Sequence, residues 1–381
     1  MSKIVAEKIG GNLLPQNKKE DKTKKSIINK IESNLLSNIK TNFTDDELKK
    51  VREIFLQKMN ENKEILDNFF ERNGYKNNYL QDYYRNGFIN RLLYNYQEPI
   101  SEFTIFTEHI LTNARDFINL NKNNKTNLFK VIKLIFIRCN LIVKEIECLI
   151  KNGFASGAVA RWRSLYEYSV ISIFIINSGE ETAKRYLDFI DIERYKEAND
   201  YNRYCEYLCF SKLENNIVDD LKSKYNELKK KYGDEFANGD YGWASNIIKK
   251  ENKRDRIKFD EIRDQTDQKD LLIYYKFSCQ YIHSSSKNLI FNLANIYGTE
   301  INIDDYKALG DASNIGFSEP IQLTMYSFFN AFASLISINV KEGDLVNILF
   351  LREKIKEITN KFIDIENKIE KEERGKTCNT Q

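Results

Sequence analysis

Asn152-Gly-Phe-Ala-Ser-Gly-Ala-Val-Ala-Arg161-Trp-Arg163-Ser-Leu-Tyr-Glu167-Tyr-Ser-Val-Ile-Ser-Ile-Phe-Ile-Ile-Asn-Ser-Gly179 is the stretch that decides the fold. Gly153 closes the amphipathic run before it, at a place where a helix end often needs positive φ. A new helix can then restart near Phe154. Ala155, Ser156, Gly157, Ala158 and Ala160 are small and let a second helix approach closely. Leu165, Val170, Ile171, Ile173, Phe174, Ile175 and Ile176 leave the second half with little polar surface. A helix apolar nearly all round is buried in its protein. Arg163 and Glu167 are four apart and share a face. Charges in such a helix must be paired or hydrogen-bonded. The pair therefore reads either as a lock on helix packing or as part of a site.

Outward from this helix the pattern stays helical. Leu128–Lys151 precedes it, and the polar, unpatterned Asn121–Thr126 reads as a linker. Before that, residues 1–25 form a loose basic leader and Ser26–Lys40 a short amphipathic helix. Thr44 and Glu47 have capping-box spacing and open a helix to about Arg72. Tyr75–Tyr96 reads as helix with a break at Gly87, and Pro99 opens another to Leu120. After Gly179 come Glu180–Phe210 and a charged helix, Ile217–Tyr232, stopped by Gly233. A turn at Gly239–Ala244 leads to a short helix. Asp270–Tyr281, Lys287–Tyr297, the uncharged run opened by Ser318-Glu319-Pro320, and Asp344–Glu373 complete the set. No strand alternation persists. The expected class is all-α, a multi-helix bundle with an N-terminal helical region. The expected division is 1–125 for that region, 126–345 for the bundle core, and 346–381 for a charged helix and tail.

Composition narrows the chemistry. The 59 basic and 56 acidic groups nearly cancel, which is not a nucleic-acid footprint. Arg185, Arg194 and Arg203 interleave with aromatics, and that pattern fits a helix interface better than base stacking. The basic stretch Lys249–Arg263 reads as a solvated face. The six cysteines include no Cys-x-x-Cys and read mostly as reduced core residues of a cytoplasmic protein. No signal peptide is visible in residues 1–25. Ile321–Val340 is 20 residues without a charge, but Gln322, Thr324, Ser327, Asn330, Ser334, Ser337 and Asn339 make it a core helix rather than a membrane span. With no carboxylate cluster or Gly-rich phosphate loop, neither metal nor nucleotide chemistry is expected, and no cofactor; with no G-x-S-x-G elbow, a Ser-His-Asp hydrolase is not expected either.

The two histidines are His109 and His283. His109 reads as an ordinary surface or core histidine. Lys276, Gln280, His283 and Lys287 fall at spacings of four, three and four, which makes one polar stripe on a helix. A histidine there can act as general base for a ribose 2′-hydroxyl while a lysine steadies phosphate charge. The candidate site is therefore His283 and Lys276 with Arg163 and Glu167.

Three segments taken together carry a resemblance: Arg161-Trp-Arg-Ser-Leu-Tyr-Glu167, Tyr241-Gly-Trp-Ala244, and Tyr275 through His283-Ser284-Ser285. They resemble an uncharacterised family of bacterial helical proteins over roughly residues 130–295. The resemblance implies an all-α fold and no established activity. Proteins that look like this often lie in phage-defence or abortive-infection neighbourhoods. The late helix also resembles, distantly, a HEPN-type ribonuclease motif, an arginine followed by histidine. This sequence departs from it: the basic residue is Lys276, six residues intervene, and Arg163 would have to supply the cation from the other helix. Three functions are expected in competition. The first is a helical module of a defence system that binds a protein partner or a ligand. The second is a metal-independent ribonuclease effector acting on RNA through His283. The third is a self-assembling homo-oligomer.

Overall fold

Helices form the regular structure, as the pattern predicts. The computed structural model describes residues 45–208, 210–252, 254–282 and 312–378. They form α1 (Asp45–Asn95), α2 (Gln97–Leu120), α3 (Asn127–Lys151), α4 (Ala155–Ser178), α5 (Glu180–Tyr204), α6 (Asn215–Tyr232), α7 (Phe259–Asp264), α8 (Leu272–Ile282), α9 (Ser318–Ile336) and α10 (Glu342–Cys378). Among the described residues there is no strand, and the fold is an all-α multi-helix bundle.

Two compact units divide these elements. The first comprises Met1–Tyr83 and Arg194–Lys222, and so takes the end of α5 and the start of α6. Within it, the Tyr201 hydroxyl donates to the Ser211 carbonyl at 3.0 Å, and Asn202 Oδ1 accepts from the Leu213 amide at 2.8 Å. These bonds turn the chain after α5. The second unit, Tyr84–Glu193 with Ser223–Gln381, contains the bundle described below.

At the centre of the second unit lies α4, in contact with α3, α7, α8 and α9. It buries Ala158, Trp162, Leu165, Tyr166, Val170, Phe174 and Ile175. Before it, α3 carries an amphipathic stripe: Phe129, Ile132, Ile135, Phe136, Cys139, Ile142, Val143 and Ile146 are buried. The start of α3 is capped twice. Thr126 Oγ1 accepts from the Phe129 amide at 3.3 Å, and the Glu180 carboxylate accepts from the Asn127 and Leu128 amides at 2.9 and 2.8 Å. An anion at a helix N-terminus also opposes the helix dipole favourably. Gly153 has φ +84°, and a Cβ there would stand 2.7 Å from the Phe88 ring. Both facts require glycine at this corner.

The α9 helix answers the membrane question physically. Ser318–Asn339 is long and apolar enough to cross a bilayer, yet 61 % of its most apolar window is buried in the bundle. It packs on α2, α3, α4 and α10. Several of its polar groups serve the packing. Trp162 Nε1 donates to the Leu323 carbonyl at 3.0 Å and to Ser327 Oγ at 2.9 Å. Ser172 Oγ donates to Ser334 Oγ at 3.1 Å. Asn330 donates to Gln268 Oε1 at 2.7 Å, and Glu366 of α10 receives the Ser318 amide at 3.1 Å and its hydroxyl at 2.7 Å.

Several expectations change. No break occurs at Gly87, nor an end near Arg72: α1 runs unbroken past Gly74 and Gly87. A glycine inside a helix costs about 1 kcal/mol, and core contacts made by Leu92 and Phe88 beyond Gly87 outweigh it. The α5 helix stops at Tyr204, and a 3-10 turn, Cys205–Leu208, follows. Cys139 and Cys205 are buried as expected, whereas Cys148 is exposed. Arg263, in the stretch read as a solvated face, is buried and pairs with Asp260 and Asp264. The leader, the Ser26–Lys40 helix, the Thr44 cap and the Lys287–Tyr297 helix lie outside the described residues.

Glu147 ties α2 to α3. It accepts from Thr104 Oγ1 and Lys151 Nζ, both at 2.7 Å, and from Lys144 Nζ at 3.4 Å. Burial alone would raise its carboxyl pKa, but these bonds and the two lysine charges outweigh it, and the pKa falls below the ordinary value. A depressed folded pKa adds stability above the unfolded value, and that stability is lost as pH falls through the folded pKa. Glu147→Gln is expected to cost about 1–3 kcal/mol at pH 7 in urea unfolding. The gap from wild type should close on acidification below the ordinary carboxylate range; a pH-independent gap would contradict the charge argument.

Candidate functional site

On α4, Arg163 and Glu167 lie one turn apart, with Nη2 3.1 Å from Oε1. Tyr275 reaches them from α8. Its hydroxyl donates to Glu167 Oε1 at 2.7 Å and accepts from Arg163 Nη2 at 3.0 Å. The guanidinium also stands 5.1 Å from the centre of the Tyr275 ring, a cation–π contact. Both charged side chains keep 26 % of their surface exposed, so the pair is half-buried rather than enclosed as its apolar helix suggested. The reason is local: the polar face of α4 looks away from α9, where Trp162 and Ser172 point. Burial, with Glu167 accepting its proton, pushes the Tyr275 phenol well above its usual range. The hydroxyl therefore stays a donor to the carboxylate. Burial works against the Arg163 charge, but Tyr275 and Glu167 together raise its pKa.

The Tyr241–Ala244 turn joins the same neighbourhood. Burial first, then the charge of Glu167, pushes the Tyr241 phenol up to about 12. Gly242 is required by close approach: a Cβ there would lie 2.1 Å from the Phe236 carbonyl oxygen. Trp243 is buried edge-on against Tyr186 and Phe174, with ring centres 4.9 and 5.7 Å away. Arg185 clamps this turn. Its Nε donates to the Trp243 carbonyl at 3.0 Å and its Nη2 to Ser245 Oγ at 2.7 Å, while its guanidinium lies 4.5 Å from the Tyr232 ring centre. Arg185 thus serves a helix interface, as its aromatic neighbours suggested.

Residues 129–295 match the family described as a family of unknown function (DUF5677). This segment is thus similar to a family whose function is uncharacterised, and its described elements are helices. No curated protein and no solved structure matches the chain. The DUF5677 segment begins inside α3 and contains Arg163, Glu167, the Tyr241–Ala244 turn and Tyr275. Two of its separated motifs are thus joined by the Tyr275 hydroxyl and the Glu167 carboxylate, and the Tyr241 turn lines the cleft beside Glu167.

The other expected site residues are placed only in part. Lys276 follows Tyr275 on α8 and is exposed. His283 and Lys287 lie outside the described residues, as does the side chain of Gln280. His109, outside the DUF5677 segment, is exposed and bonded to Asn347 Oδ1 at 2.8 Å. No group of His, Cys, Asp or Glu that could hold a metal occurs among the described residues.

Beside Glu167 the DUF5677 segment forms a cleft of about 530 Å³. Arg138 of α3, Arg161 and Ser164 of α4, Tyr186 of α5, and Asp240 and Tyr241 of the turn contribute to its lining. Arg161 pairs with Glu145 and donates to Ser164 Oγ at 3.2 Å. Sequence reasoning missed this cleft. Arg138 was legible as a cation in an apolar helix, but Tyr168 and Tyr186 look like core aromatics until α5 folds against α4.

Gly242→Ala is expected to lower stability by about 1–3 kcal/mol or more, since the methyl group overpacks a closed turn. Urea unfolding should show a lower midpoint at an unchanged slope. A midpoint equal to wild type would mean that the turn relaxes freely and does not fix Tyr241.

Proposed function

We propose that the DUF5677 segment is a ligand-binding helical module and that the ligand sits in the cleft beside Glu167. One observation carries this reading. Arg163, Tyr275 and Glu167 close on one another, as structural groups do, while the adjoining cleft gathers polar side chains on an aromatic lining. Concave sites with a few converging polar groups are where small ligands bind. The cellular setting in this reading is a cytoplasmic phage-defence or abortive-infection system, which rests on the family resemblance alone. In it, the ligand is the signal, and the responder is a partner protein of the system or a second copy of the chain.

A second reading, the metal-independent ribonuclease, draws support from one contact. Arg163 reaches α8 at Tyr275, next to Lys276, which supports an arginine supplied to the late-helix motif from α4. The two readings separate in one experiment on the purified full chain. In the first, the small-molecule fraction of a bacterial extract raises the melting temperature by about 2 °C or more. Ile190→Trp, which places a bulky ring at the exposed edge of the cleft, removes the rise. RNA added to the wild type stays intact. No rise with the wild type overturns the module. RNA cleavage by the wild type but not by His283→Ala installs the ribonuclease in its place.

A further inference from the structure

The cleft's hydrogen-bonding groups specify more than a generic ligand. Glu167 gives Oε1 to both Arg163 and Tyr275, and among the described residues its Oε2 takes no donor. The hydroxyls of Tyr168, Tyr186 and Tyr241 likewise have no protein hydrogen bond among the described residues, although all three line the cleft. Asp240 and Arg138 line it too and form no ion pair among the described residues. The remaining charged residues of the lining are engaged within the protein: Arg161 pairs with Glu145, and Glu193 has an interaction of its own.

This inventory excludes simple ligands. Carboxylates accept only, guanidinium donates only, and a phenol does both. An organic amine would serve Glu167 and Asp240 but offer nothing to Arg138. A simple carboxylic acid would serve Arg138 and leave the two carboxylates opposed to it. The lining asks for donors and acceptors on one flat body, with an anionic group attached. Half-buried tyrosines around Trp243 supply ring surface for such a body. A nucleobase has ring nitrogens, carbonyls and amino groups around a π-face, and stacks on aromatic side chains. The cleft's volume of about 530 Å³ lies in the range of small-molecule sites.

We infer that the cleft binds a nucleoside monophosphate, its base against the tyrosines with amino groups toward Glu167 and Asp240, and its phosphate toward Arg138. The inference rests on the ligand-binding reading above and names its ligand. Arg138 is exposed, so the phosphate stays at the rim, where leaving water costs least.

The test is calorimetric titration of the full chain with AMP, GMP, CMP and UMP, and with the four matching nucleosides. At least one monophosphate is expected to bind, and its nucleoside to bind about tenfold more weakly. Arg138→Ala, a surface change, should bring the monophosphate down to the nucleoside's affinity and leave the nucleoside unaltered. Tyr168→Ala should weaken both by about tenfold or more, the loss of one stacking surface. Binding unaffected by both variants places the ligand elsewhere and overturns the inference, as does failure of all four monophosphates to bind. If the bacterial extract still stabilises wild type but not Ile190→Trp while the monophosphates fail, only the ligand class is wrong. If the extract fails too, the ligand-binding reading falls with it.

Discussion

The hydroxyl of Tyr275 stands between a guanidinium and a carboxylate, and two separated parts of the chain meet at that point. Arg163 and Glu167 come from the central helix, Tyr275 from a helix more than a hundred residues later. A half-buried ion pair on its own contributes little, because water competes for both charges. A phenol placed across it adds a donor for the carboxylate and an acceptor for the guanidinium without adding charge. The Tyr241 turn then settles near Glu167, and its glycine admits no side chain beside the Phe236 carbonyl. The cleft is what remains between these parts once they are fixed.

The same helix serves two purposes on two faces. Toward α9, it presents Trp162, Ser172 and its apolar residues, which fix the bundle through the indole N–H and a serine pair. Toward α8 and α5, it presents Arg163, Glu167 and Tyr168, which shape the site. Rigid packing on the first face holds the second in register, as a preorganised site requires.

Much of the fold was legible because it depends on local chemistry. The apolar run Val170–Ile176 marked a buried helix, and Gly153 and Gly233 marked helix ends where the backbone does take positive φ. The serines and asparagines of Ile321–Val340 pointed to a core helix; Ser327 and Ser334 bond to α4, and Asn330 to Gln268 before α8. Gly87 misled because its cost inside a helix is small beside the packing that follows it. The pairing of Arg163 with Glu167 was legible from spacing, but the role of Tyr275 was not. Its motif suggested a nearby polar site, and no pattern shows which hydroxyl reaches across two helices. The cleft was illegible for the same reason: its lining runs from Val131 to Trp243 and is brought together only by packing.

A double-mutant cycle on urea unfolding tests the Tyr275 link directly. Glu167→Gln and Tyr275→Phe are made singly and together, and the coupling is read from the departure from additivity. A hydroxyl held by the carboxylate at 2.7 Å predicts a coupling of about 1–2 kcal/mol. Additivity within about 0.3 kcal/mol would mean that the hydroxyl and the carboxylate do not act on one another, and that something else joins α8 to α4.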